Sequence, residues 1–162
     1  MRDELTTLVA SVESARSDVL NAAVSLTEEQ GAFNPRDAWS IAETVEHLYL
    51  AELSGVTKIW AAAEGLRAGD RWTGELPHRG KQIEQVVAET WKPKEVAPPI
   101  ATPHIGGPLR FWLSALPSLR PVLADLASQL EGLPLEDVVF PHYLSGPLDA
   151  RQRLDKGDDR SR

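Results

Sequence analysis

NPRDAWSIAETVEHLYLAE, residues 34–52, contains a helix start and the first half of the helix it opens. Asn34-Pro35 is a turn dipeptide, and the run to Ala38 holds the chain outside helical geometry. Ser40 then fits an N-cap, with Glu43 three residues on as the reciprocal partner of a capping box. The Ser40 hydroxyl can accept a first-turn N–H while the Glu43 carboxylate reaches back to the Ser40 amide. Glu43 and Glu46 also set negative charge near the positive end of the helix dipole. Past the cap, Ile41, Val45, Leu48, Val56, Ile59 and Ala63 recur at helical spacing, which predicts a helix from about Ser40 to Leu66. At about 100° per residue, His47 falls roughly 100° round from that stripe, beside Thr44, Ala51, Ser54 and Gly55. Such small neighbours let another helix or a ligand come close. A single histidine there, taken alone, reads as a flank residue bonded to water or to a neighbouring helix.

The chain has 162 residues, 42% of them apolar, which suits one domain with a substantial core. Its five tryptophans, Trp39, Trp60, Trp72, Trp91 and Trp112, are spread out and predict several core anchors rather than one aromatic platform. The formal charge of −7 disfavours a phosphate-binding surface, so no nucleic-acid partner is expected. No apolar run reaches the roughly 18 residues of a transmembrane helix, and MRDELTTLVASVE lacks a signal core. These features predict a cytoplasmic protein with no membrane partner. The absence of cysteine excludes disulfides, cysteine-based zinc sites and cysteine nucleophiles.

In chain order, Asp3 can cap a first helix running to about Leu26, with Leu5, Leu8, Val9, Val12, Val19 and Ala23 on one face. Thr27 to Gln30 repeats the capping-box pattern and predicts one short turn, after which Phe33 is expected to tuck beneath the bundle. Glycines and Pro77 mark a loop from about Ala68 to Gly80, over which Trp72 is expected to fold back onto the core. A short helix is predicted from Lys81 to Trp91, then a long crossing connection from Pro93 to Pro108. Pro108 opens a third long helix to Glu131, which Pro117 and Pro121 should kink or break near 116–118. Leu135 to Ser145 is connection, anchored by Phe140 and Tyr143. Pro147-Leu148 opens a short fourth helix, and residues 155–162 form a polar tail beyond a single domain of residues 1–154.

Three stretches together resemble the DinB-like family of bacterial four-helix bundles: WSIAETVEHL at 39–48, the crossing connection, and PHYLSGPLDARQRL at 141–154. The resemblance spans nearly the whole chain to Leu154. It implies an all-α fold, a DinB-like four-helix bundle with a long crossover connection whose fourth helix is here short. It also implies a homodimer, and a divalent metal, zinc or nickel, held by one histidine of the second helix and two of the last. Several relatives are thiol-dependent transferases that use bacillithiol or mycothiol, so a low-molecular-weight thiol or other small molecule is an implied ligand. Three neutral imidazoles with open positions suit Lewis-acid or thiolate-activating chemistry.

By that resemblance His47 matches the second-helix ligand, and nothing matches the other two. His142 precedes the last helix, and His78 and His104 fall in loops. His47 with His142 and Asp149, or with His104, could form a replacement set only if the loops fold over the bundle mouth. Glu43, Glu46 and Glu52 read as a solvated acidic flank. Gly106-Gly107-Pro108 resembles a phosphate-cradling helix start, but a glycine turn feeding a proline-led helix explains it more simply. The expectation is therefore a DinB-like bundle without a complete metal site and without catalysis. The alternative is a metal-dependent thiol S-transferase or hydrolase. The change from PLDARQRL to DKGDDRSR reads as a truncated, frameshifted or divergent end. A short fourth helix would leave an apolar groove, and the expected cover is a second copy.

Overall fold

The computed structural model describes residues 2–90 and 97–155. Trp91, the start of the crossing connection at Pro93 and the polar tail from Lys156 lie outside that range. Helices dominate: α1 (Arg2–Ala23), α2 (Glu28–Ala32), α3 (Ile41–Arg67), α4 (Ile83–Thr90), α5 (Leu109–Ala115), α6 (Leu119–Leu130) and α7 (Ala150–Asp155). A two-stranded antiparallel hairpin, β1 (Val139–His142) with β2 (Gly146–Asp149), precedes α7. No described helix is long and apolar enough to cross a membrane.

The long helix α3 is the spine. Its start is the predicted capping box: Glu43 N–H donates to Ser40 Oγ, and Ser40 N–H donates to Glu43 Oε1, both at 3.0 Å. Asn34 adds a side-chain contact to the same carboxylate. The Ser40 backbone bond, followed by the Asn34 contact, outweighs a small opposing effect of burial and holds the Glu43 carboxyl below its ordinary range. Early in α3, Ala42, Val45 and Leu48 pack with Leu109, Trp112 and Leu116. Later, Val56, Ile59 and Ala63 join α1 through Leu8 and Val12 and α6 through Leu123 and Leu126. One helix thus seeds two adjoining parts of the core.

The proline pair acts as expected. Leu116–Ser118 is a 3₁₀ turn between α5 and α6, centred on Pro117, which cannot donate into the helix. Pro121 is tolerated because it sits in the first turn of α6, where N–H groups have no intrahelical acceptor anyway. The Thr27–Gln30 capping box also forms and starts α2.

Other expectations need correcting. Asp3 lies inside the first turn of α1 rather than before it, and α1 ends at Ala23. Phe33 is 67% exposed. The contact residue of α2 is Gly31, where a Cβ would stand 2.7 Å from Leu109 Cδ2, so the backbone itself lies on α5 and Phe33 is left outside. Trp72 also keeps much of its surface in solvent. Phe140 is buried as predicted, but Tyr143, at the hairpin tip, is exposed.

The all-α expectation, with a fourth helix opening at Pro147-Leu148, is corrected by the hairpin. Gly146–Asp149 is strand, in register with Phe140 opposite Leu148 and Pro141 opposite Pro147. Neither proline can donate to the ladder, but Phe140 and Leu148 are both buried, so this short pair is held by its apolar face. The hairpin and α7 carry Phe140, Leu148, Ala150 and Leu154 into the core beside α1 and α3. Part of the groove expected from a short last helix is thereby filled within the chain.

Asp149 starts α7 through a second kind of box. Gln152 N–H donates to Asp149 Oδ1 at 2.8 Å, and Asp149 N–H donates to Gln152 Oε1 at 3.1 Å. Gln152 Nε2 donates onward to the carbonyls of His78 and Lys81, tying α7 to the loop before α4. Burial pushes the Asp149 carboxyl above its ordinary range, although the Gln152 amide and the Arg151 charge oppose it. A raised folded value means stability that is full below the unfolded aspartate range and lost as pH rises through the folded value. Asp149→Asn keeps an acceptor for Gln152 without the buried charge. Its melting temperature is therefore expected to gain on the parent as pH rises from the acid side of the aspartate range to neutrality. Thermal unfolding across that range checks this, and an Asn advantage that grows towards acid would refute it.

Candidate functional site

Helix α3 presents Glu46 and His47 side by side to the crossover segment from Ala97 to Gly107. His47 Nδ1–H donates to the Ala101 carbonyl at 2.7 Å, which leaves the Nε2 lone pair uncommitted among the described residues. The imidazole lies against Trp39, ring centres 5.0 Å apart and planes tilted by 41°. A histidine with one ring N–H fixed by a backbone carbonyl is oriented and tautomerically defined.

Glu46 is 1% exposed, and its carboxylate collects three successive backbone N–H groups. His104 and Ile105 donate to Oε2 at 2.7 and 2.9 Å, and Gly106 to Oε1 at 3.0 Å. Gly106 and Gly107 have φ of +79° and +108°, a left-handed stretch that shapes the segment around the carboxylate. Trp112 Nε1–H bonds to the Gly106 carbonyl at 3.0 Å, fastening the other side of the same turn to α5. Burial pushes the Glu46 carboxyl up, but the amides of Ile105, His104 and Gly106 outweigh it and hold it below its ordinary range.

The phosphate-cradle look of Gly106-Gly107-Pro108 is also accounted for. The first N–H groups of α5, from Leu109 and Arg110, donate to Glu28 Oε2 and Oε1 at 2.8 and 3.0 Å. Both sets of converging amides in this region hold the protein's own carboxylates.

The acidic flank expected from Glu43, Glu46 and Glu52 divides into three roles. Glu43 caps α3, Glu46 pins the crossover, and Glu52, 4% exposed, contacts Arg16 of α1. Arg16 also contacts Glu13 and is itself buried. Burial opposes its charge, but hydrogen bonds and attraction from Glu52 and Glu13 prevail, so the guanidinium stays fully protonated. A cleft of about 30 Å³ lies beside this pair, walled by Val12, Val19, Leu48 and Leu116. That volume suits a water molecule or two rather than an organic substrate.

The remaining histidines serve the backbone. His104 Nδ1–H donates to the Thr102 carbonyl at 2.8 Å in the crossover. His78, in the loop before α4, is buried, with Nε2–H donating to the Ser145 carbonyl at 2.9 Å. His142 Nδ1 accepts N–H groups from Leu144 and Ser145 at the hairpin tip, as a structural turn residue should. Asp149 is committed to Gln152. Among the described residues, no three His, Cys, Asp or Glu side chains come together in a group able to hold a metal ion. The donors around His47 therefore do not fit a three-ligand zinc or nickel centre, and neither proposed replacement set assembles there. Comparison with models of protein families, with curated proteins and with solved structures finds no match to this chain.

Proposed function

We propose that this chain is a DinB-like helical-bundle protein that lacks a metal centre of its own and acts without catalysis, as a cytoplasmic protein working through association. The observation that carries this reading is the employment of the site residues. The crossover is pinned by Glu46 and His47, and the other candidate ligands are spent on turns and helix starts. A homodimer is the simplest assembly, and the exposed Phe33, Ile105 and Phe111 support a partner surface at the α2–α5 end. Light scattering at micromolar concentration tests the assembly, with a monomeric mass counting against it.

A second reading, the metal-dependent thiol transferase, draws on one observation: the fixed Nδ1–H of His47 leaves Nε2 presented as a metal-binding histidine presents it. Metal content after purification and calorimetric titration with zinc and nickel separate the two. The expected result is no retained transition metal and no micromolar affinity. Micromolar or tighter binding that disappears in His47→Ala, with thiol transfer to an electrophile, would replace the first reading by the second.

A further inference from the structure

Arg153 of α7 is 9% exposed, and its Nη2–H donates to the Ala51 carbonyl of α3 at 3.0 Å. A Cβ built on Gly55 would stand 2.5 Å from Nη2, 2.7 Å from Cζ and 2.8 Å from Nε of the same side chain. The guanidinium therefore occupies the space that any side chain at position 55 would need. Ala51 and Gly55 lie one and two turns beyond His47 on the same face of α3, since residues four apart are stacked on a helix surface. The cation thus lies along the face from which His47 projects.

We propose that Ala51 and Gly55 form a guanidinium seat on α3, filled by Arg153, which locks α7 against α3. The planar, forked guanidinium is what the seat requires. A lysine ammonium is a point charge on a flexible stem and cannot reproduce both the carbonyl bond and the flat contact over Gly55. Arg153 is a positioning residue: it sets α7 against α3.

The sign of one substitution tests the seat. Alanine for glycine inside a helix ordinarily raises stability through helix propensity. Here Gly55→Ala is expected to lower the melting temperature by roughly 2–6 °C, because the buried Arg153 must give up its bond to the Ala51 carbonyl to make room. Arg153→Ala and Arg153→Lys are each expected to lose a similar amount. The double variant Arg153→Ala/Gly55→Ala should be no worse than either single variant, since the second change removes nothing further. Millimolar guanidinium chloride should restore part of the loss in Arg153→Ala, while methylammonium chloride should not, and neither should help the double variant. A neutral or stabilising Gly55→Ala, additive losses, a Lys variant of parental stability, or equal responses to both cations would each overturn the seat. Zinc titration of the unmodified chain reports separately. Zinc binding beside an intact coupling between 55 and 153 refutes the metal-free reading alone, whereas lost coupling without zinc binding refutes the seat alone.

Discussion

Glu52→Ala is expected to remove about 3–5 kcal/mol of unfolding free energy, because it leaves the buried Arg16 guanidinium without its main partner. Arg16 and Glu52 are both nearly solvent-free, so neither can recover full hydration when the other is lost. The pair itself need not be stabilising. Two charges taken from water are costly, and apolar replacements of similar volume often perform as well. Arg16→Met/Glu52→Leu should therefore regain most of what either single truncation loses, with Glu13 relaxing outward. Urea denaturation of the parent, Arg16→Met, Glu52→Leu and the double variant supplies the cycle, with Glu52→Ala measured beside it. A single-variant loss below about 1 kcal/mol, the scale of an exposed pair, would place the bridge in solvent. Because the pair is buried, high salt should change the Glu52→Ala loss little.

Glu46→Ala carries the second large effect. It strips the shared acceptor from three amides at once, and bonds to a charged acceptor are worth about 1.5–3 kcal/mol each. The residues of that turn are exposed, so water can take over part of the bonding. A net loss of about 2–3 kcal/mol is expected. The lowered carboxyl value gives the sign with pH: the contribution is present above the ordinary glutamate range and is lost as pH falls through the folded value. The difference between parent and variant should thus be full at neutrality and shrink in acid. Equal stability of the two at neutral pH would contradict the account, as would a gap that widens in acid.

Much of the scaffold was legible because its signals are local. Ser40 with Glu43, Thr27 with Gln30 and the break at Pro117 each depend on residues within a turn of one another, and each formed as read. The hairpin was not legible in the same way. Gly146-Pro147-Leu148 opens a helix or a strand equally well until Phe140 supplies the partner across the turn, and that pairing is set by burial.

The site was misread where a charged residue occupied a core position. Arg16 continues the spacing of Leu5, Leu8, Val12 and Val19 on α1, and Glu52 continues that of Val45, Leu48, Val56 and Ile59 on α3. A cation in one apolar stripe and an anion in another is a signal for a buried bridge, and it stands in the sequence. Glu46 carried no such mark. Its burial comes from a crossover segment more than fifty residues away, whose path nothing local specifies. His47 was singled out by sequence and does sit at a defined contact, but what that contact holds is a backbone carbonyl.

Amide hydrogen exchange at His104, Ile105 and Gly106, followed by NMR at neutral pH, tests most directly whether the Glu46 carboxylate pins the crossover to α3. The expectation is strong protection of all three amides in the parent, despite their place in an exposed turn, and near-complete loss of it in Glu46→Gln. Parent amides exchanging at the rate of an unstructured chain would contradict it.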